Sequence, residues 1–120
     1  MSESTIALAE GLVCHVPVLK ELFDEHLADN FGEVLPHVFM AEVFAALSNR
    51  EPSFETQREE ERVFAFLESE FASGSGEVQE MISVSFLQLL PGTPLGERLR
   101  GRLGPELGSE MAKVRPDYSR

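Results

Sequence analysis

The amino-acid sequence predicts an all-α protein, folded as a compact orthogonal bundle of five to seven antiparallel helices. Between the Pro and Gly positions, apolar residues recur with a period near 3.6, and no segment shows the strict alternation of a half-buried strand. Short connections marked by Pro or Gly favour antiparallel neighbouring helices. A chain of 120 residues that is 42% hydrophobic has enough apolar material for one domain over residues 1–120.

Two helices are predicted on either side of Pro17. A short first helix over about 5–12 would have Ser4 as its cap, because a serine oxygen can accept from a free N–H group of the first turn. Pro17 suits the first position of a second helix that reaches about Asn30. Gly32 would end that helix, because glycine adopts the left-handed conformation without steric cost.

The remaining helices are predicted from apolar pattern and punctuation. Residues 34–47 are apolar nearly all round, which predicts a fully buried helix. A long helix over about 54–72 should expose its many glutamates, and the SGSG run at 73–76 separates it from a helix over 77–90 with a wide apolar stripe. The Gly-Pro pair at 104–105 divides the last region into two short helices.

Two histidines and two glutamates lie within the otherwise core-like stretch 26–44. Polar groups in such a place reduce stability unless a partner satisfies them. We expect His26 to be half-buried and hydrogen-bonded to a carboxylate or a carbonyl, and a carboxylate would favour the protonated ring. Glu42 must reach a cleft, pair with His26 or an arginine, or be protonated. The candidate binding residues are His26, Asp29, Glu33, His37 and Glu42.

No complete catalytic or metal-binding motif accompanies these residues. The three histidines are 11 residues apart, but Pro and Gly interrupt any single helix that would align them. His26, Glu33 and His37 form the one conceivable metal cluster, although the His-x-x-x-His spacing of zinc sites is missing. The sequence therefore predicts no metal, no cofactor and no catalytic residue.

Charge is distributed unevenly along the chain, whose formal net charge is −11. Residues 1–95 hold 17 acidic against 4 basic residues, whereas residues 96–120 hold 4 against 6. An acidic body repels nucleic acid and attracts a basic protein, and we expect Glu21, Asp24 and Glu25 to contribute to its surface. Three arginines, at positions 98, 100 and 102, are a small footprint for phosphate.

Cellular location is predicted from composition. The single cysteine cannot form an internal disulfide, which gives no indication of an oxidising compartment. Neither a signal-peptide pattern nor a run approaching 18 apolar residues is present. We therefore expect a cytoplasmic protein without membrane contact.

Three blocks carry a family resemblance: EHLADNFGEVLPHVFMAEV, VFAFLESEFASGSGEVQEMISVSFLQLL and RLGPELGSEM. In content and order they resemble a family of small acidic bacterial proteins, frequent in actinobacteria, that carry a domain of unknown function. The resemblance covers about residues 17–112 and implies a helical fold in a bacterial cytosol, but it assigns no site. The chain is also broadly similar to the small immunity proteins of toxin systems, which are likewise acidic and single-domain, although no sequence motif is shared.

Three functional hypotheses follow. The leading one is a protein-binding module that holds a basic partner, since an acidic body is present without a catalytic set. The alternative is a ligand- or metal-binding protein, or an enzyme, with a His/Glu pocket around His26 and His37. A third is a structural, self-assembling protein.

Overall fold

The computed structural model describes residues 3–118, in which seven α-helices are joined by short connections. In chain order the helices are α1 (Glu3–His15), α2 (Lys20–Asp29), α3 (Pro36–Ser48), α4 (Phe54–Ser73), α5 (Gly76–Ser85), α6 (Pro94–Leu99) and α7 (Pro105–Val114). Single turns of 3-10 helix lie at Pro17–Leu19 and Leu87–Leu89. Residues 3–118 contain no β-strand, so the all-α prediction is confirmed.

The helices pack around one cluster of buried apolar side chains. Helices α1 and α5 each contact α3 and α4, while α2 packs on α1 and α3, α6 on α3, and α7 on α4 and α5. The radius of gyration is 13.6 Å, close to the ~13.6 Å expected of a compact chain of this length. Every helix therefore buries one side against the same core.

Hydroxyl side chains cap the starts of three helices, α4, α5 and α6. At the start of α4, the Ser53 hydroxyl accepts from the Thr56 N–H at 3.1 Å, and the Thr56 hydroxyl accepts from the Ser53 N–H at 2.8 Å. Ser75 and Thr93 cap α5 and α6 in the same manner. Each cap satisfies an N–H group that has no partner within its helix.

Helix α1 is longer than predicted at both ends. Ser4 lies inside the helix instead of capping it, and the helix continues through Gly11 to His15. Gly11 is tolerated there because the Phe66 ring packs closely against it, so that a Cβ atom on Gly11 would lie only 3.1 Å from Phe66 Cζ. Packing against α4 thus overrides the weak helix preference of glycine.

The prediction that residues 34–47 are buried on all sides is wrong. Helix α3 buries a wide face that includes Phe39 and Met40, but Val38 is 46% exposed and Ala41 and Ala45 are exposed. Its neighbours cover one side only, and alanine and valine can face solvent at little cost. A helix can therefore have apolar residues on all sides and still expose one side to solvent.

The predicted helix over 77–90 ends early. Its backbone leaves the helical conformation at Phe86, and the chain continues as the 3-10 turn Leu87–Leu89. The Phe86 ring lies between the rings of Phe44 and Phe64 in edge-to-face contacts with centroid distances of 6.1 and 5.8 Å. Leu89, which follows the break, is 43% exposed, and Val84 within α5 is 45% exposed, so the apolar stripe is not buried over its whole width.

Helix α7 begins without a capping side chain of its own, because Gly104 precedes it. The Glu68 carboxylate of α4 accepts instead from the Glu106 and Leu107 N–H groups, at 2.7 and 3.0 Å. A Cβ atom at Gly104 would lie 2.5 Å from Glu68 Oε1, so only glycine leaves room for this contact. The negative carboxylate also interacts favourably with the helix dipole.

Tyr118 closes the C-terminal segment against α6. Its hydroxyl donates to the Gly96 carbonyl, and Arg100 donates to the Tyr118 carbonyl at 2.6 Å and lies over the Tyr118 ring. Gly96 also packs against the Leu90 carbonyl, and a side chain at position 96 would collide with that carbonyl. Burial raises the pKa of the Tyr118 phenol, although the nearby Arg100 charge opposes the shift.

Replacing Phe39 should destabilise the protein strongly, because its ring is fully buried and contacts the Phe23 ring edge-on at 5.1 Å. We expect Phe39→Ala to lower the free energy of unfolding by roughly 3 to 5 kcal/mol in denaturant melts. The neighbouring Val38→Ala should change it by less than about 0.5 kcal/mol. A loss below about 1 kcal/mol for Phe39→Ala would contradict its place in the core.

Tyr118 should make stability fall at alkaline pH. Its phenol has a higher pKa folded than unfolded, so its contribution is complete below the unfolded value of about 10 and is lost as pH rises through the folded pKa. Tyr118→Phe should remove this part of the alkaline loss and lower stability near neutral pH by about 1 kcal/mol, because the Gly96 carbonyl loses its donor. Melts of both proteins across this range measure the difference, and equal alkaline slopes would contradict it.

Candidate functional site

His26 lies on the inner face of α2 with its side chain completely buried. Nδ1 is 2.7 Å from Glu42 Oε1 on α3, and Nε2 is 3.0 Å from the Leu35 backbone nitrogen. A backbone N–H group can only donate, so Nε2 is the acceptor and Nδ1 carries the proton that is donated to Glu42. The contacts thus assign the donor role to Nδ1 and the acceptor role to Nε2.

The His26 ring provides a hydrogen-bond acceptor for the backbone N–H group at the start of α3. Leu35 occupies the position before that helix and has no side-chain cap, while Pro36 follows it without an N–H group. Both ring nitrogens are therefore engaged. His26 could bind a further group only by releasing Leu35 or Glu42, so we infer that this histidine positions α2 against α3. Of the alternatives left open for Glu42, the structure has the pair with His26, and the Glu42 side chain remains 34% exposed.

The turn after α2 contains an unusual backbone conformation at Phe31. Its φ angle is +57°, followed by +81° at Gly32, and the Gly32 N–H donates to the Leu27 carbonyl at 2.7 Å. This is the hydrogen bond of a Schellman motif, whose left-handed position is usually glycine. Gly32 was the predicted left-handed residue, but Phe31 precedes it in that conformation with its side chain fully exposed.

Acidic side chains surround this turn. Glu21, Glu25 and Asp29 are exposed on α2, and Asp24 is exposed but bonded to a neighbouring lysine at 3.2 Å. Glu33 is exposed after the turn. Asp29 and Glu33 form no ion pair with any other residue between 3 and 118. An unpaired carboxylate therefore lies two residues before Phe31 and another lies two residues after it.

His37 is exposed at the start of α3, and its Nδ1 lies 3.4 Å from the Ser85 hydroxyl of α5. His15, His26 and His37 lie on three different helices, so their regular spacing does not form a ladder. Among the residues that the structure describes, no group of three or more His, Cys, Asp or Glu side chains could hold a metal ion. The candidate residues thus divide into the partly buried His26–Glu42 pair and separate exposed groups.

Three consecutive glutamates of α4 pair with arginines from three other segments. These ion pairs were not predicted from the sequence. The pairs are Glu59 with Arg50, Glu60 with Arg98 at 3.0 Å, and Glu61 with Arg102 at 2.9 Å. Two members of the arginine cluster near the C-terminus are therefore bound to carboxylates of the same chain. The third, at position 100, pairs with Glu97 at 3.2 Å, and that hydrogen bond raises the pKa of its guanidinium.

Glu60 is only 5% exposed, although the predicted helix placed it on the solvent side. Its partner Arg98 also donates to the Leu47 carbonyl at the end of α3, at 2.8 Å. A carboxylate can be buried there because a guanidinium neutralises it and a second hydrogen bond satisfies the guanidinium. The only signal for this pair in the sequence is the run of arginines near the C-terminus, because nothing in the sequence distinguishes Glu60 from the other glutamates of α4.

The fold and the site define a small all-α protein in which a buried histidine supports an acidic, aromatic turn. The family model described as Domain of unknown function (DUF7674) matches residues 9–118, and the chain belongs to this family. The predicted resemblance to a domain of unknown function is therefore confirmed. None of the curated proteins and none of the solved structures compared with the chain matches it. Within residues 3–118, every helix is too short or too polar to span a bilayer.

Removing the His26 ring should destabilise the junction of α2 and α3, because the Leu35 N–H would lose its acceptor. We expect His26→Leu to lower the free energy of unfolding by about 2 to 3 kcal/mol. Glu42→Gln should cost less than about 1 kcal/mol, since an amide oxygen can still accept from Nδ1–H. Nitrogen-15 NMR of the ring identifies the tautomer directly, and a proton on Nε2 would contradict the assignment.

Proposed function

We propose that this chain acts as one helical domain that binds a basic protein partner in the bacterial cytosol. The binding surface would be the outer face of α2 together with the turn that follows it, and Phe31 would be the residue that enters the partner. The family resemblance and the lone cysteine support the setting. The partner could be a toxin domain, held in the manner of an immunity protein.

The observation that carries this proposal is the conformation and exposure of Phe31. A bulky residue at positive φ is strained by about 1 to 2 kcal/mol, and its ring gains no packing in return because it is fully exposed. Strained residues of this kind occur mainly at functional sites. Exposed aromatic side chains supply much of the binding energy at protein interfaces when a partner buries them.

Charge defines the chemistry of the partner. The carboxylates of Glu21, Glu25, Asp29 and Glu33 are exposed on α2 and the following turn. A surface with lysine and arginine around an apolar pocket would complement both these charges and the Phe31 ring. The charges would chiefly accelerate association, whereas the ring would slow dissociation.

The contacts of the buried His26 ring hold the turn of this surface in place. They connect α2 to the start of α3 on both sides of the turn, and the Asn30 side chain donates to the His26 carbonyl at 2.7 Å. A turn already held in one conformation loses less entropy when it binds. A His/Glu pocket around His26 and His37 has weaker support, because both nitrogens of His26 are already engaged.

Replacing Phe31 with glycine should separate binding from folding. Phe31→Gly relieves the strain and removes no buried contact, so we expect stability to stay equal or rise by up to about 1 kcal/mol. Binding should nevertheless be lost. The measurement is affinity capture from a lysate of the source organism at low salt, with the retained basic protein quantified for wild type and variant.

Phe54→Ala is the matched control, because Phe54 is also an exposed phenylalanine but lies at the start of α4. It should retain the same protein as wild type. Charge reversal at Glu21, Asp24, Glu25 and Asp29 should slow association, and salt should weaken it because exposed charges are screened within about 8 Å at physiological ionic strength. Capture of no basic protein, or equal capture by Phe31→Gly, would overturn the proposal.

A further inference from the structure

A second candidate binding site lies between the end of α1 and the middle of α4, and none of its residues belongs to the acidic surface of α2. The cleft has a volume of about 490 Å³ and is lined by His15, Arg62, Ala65, Phe66, Ser69 and Glu70. Small-molecule sites usually occupy roughly 300 to 1,000 Å³. The cleft is therefore large enough for a compact organic ligand.

Two aromatic rings form the apolar part of the cleft. The rings of His15 and Phe66 lie 4.7 Å apart between centroids at an angle of 44°. His15 Nδ1 donates to the Gly11 carbonyl at 3.1 Å, which fixes the orientation of the imidazole. A flat ring could pack on this pair in an offset or edge-on arrangement.

Opposite charges occupy positions along α4 on either side of these rings. Arg62 and Glu70 are eight residues apart, so their Cα atoms are separated by about 12 Å of helix rise. Within the described part of the chain neither of them forms an ion pair, although most other arginines of this protein do. An unpaired cation and an unpaired anion thus border one cleft, and Ser69 also lines it.

We propose that this cleft binds a small zwitterion in which a flat ring separates a carboxylate from an ammonium group. The carboxylate would interact with Arg62 and the ammonium group with Glu70, while the ring would pack on His15 and Phe66. Guanidinium and carboxylate groups form charge-assisted hydrogen bonds with such ligand groups. The arrangement selects against ligands of a single charge, because one end of the cleft then stays unpaired.

The test uses the whole chain and 4-(aminomethyl)benzoate, which carries the two charges at opposite ends of a benzene ring. Amide NMR shifts should change at His15, Phe66 and Ser69 as this probe is added. Two single-charge probes, 4-methylbenzoate and 4-methylbenzylamine, should bind more weakly. Arg62→Gln should weaken binding of the zwitterion and the benzoate by about tenfold and leave the benzylamine unchanged, while Glu70→Gln should have the complementary effect.

Matched controls lie on the same helix outside the cleft. Arg58, whose guanidinium lies 5.8 Å from the centre of the Phe54 ring, and the exposed Glu55 do not line it. Arg58→Gln and Glu55→Gln change the net charge by the same amounts and should leave binding of all three probes unchanged. The proposal is overturned if no probe shifts the cleft amides, if Arg62→Gln and Glu70→Gln do not discriminate between probes, or if the control variants weaken binding equally.

Discussion

Both ends of α3 depend on polar side chains supplied by other helices. A helix leaves N–H groups unpaired at its start and carbonyl groups unpaired at its end, and burying such groups without partners is costly. His26 of α2 accepts from the Leu35 N–H at the start, and Arg98 of α6 donates to the Leu47 carbonyl at the end. These two contacts bring segments from both halves of the chain to one central helix. Arg98 also neutralises Glu60, so a single guanidinium joins α3, α4 and α6.

Local signals in the sequence predicted the starts of α4, α5 and α7 to within one residue, but Ser4, the residue predicted as a cap, lies inside α1. Ser53 and Thr93 cap helices as serine and threonine usually do, and Pro105 follows Gly104 at the start of α7. Burial was predicted less well, because it depends on partners distant in sequence. Glu60 resembles every other glutamate of an acidic helix until Arg98, 38 residues later, is placed beside it. An apolar stripe likewise indicates which residues can be buried. Which of them are buried depends on how the helices pack.

The candidate site was predicted in part for the same reason. A histidine and a glutamate within an apolar stretch require a partner, and pairing His26 with Glu42 was one of the solutions that the sequence allowed. The contact of His26 with Leu35 could not be inferred, since any backbone N–H group is an equal candidate. Phe31 was missed because phenylalanine rarely adopts positive φ and the adjacent Gly32 offered the easier left-handed position. The unexpected residue is also the one with the clearest functional implication, as is common for strained positions.

The capping of α7 by Glu68 has a consequence for the order in which the chain assembles. Helix α7 is 10 residues long and begins after a glycine, so it lacks both the length and the cap that stabilise an isolated helix. Its first N–H groups find their acceptor on α4. Helix α4 spans 20 residues and carries its own capping box, which allows it to nucleate earlier. During synthesis from the N-terminus, α4 would then serve as the template on which α7 forms, so the last helix of the chain would fold only after α4.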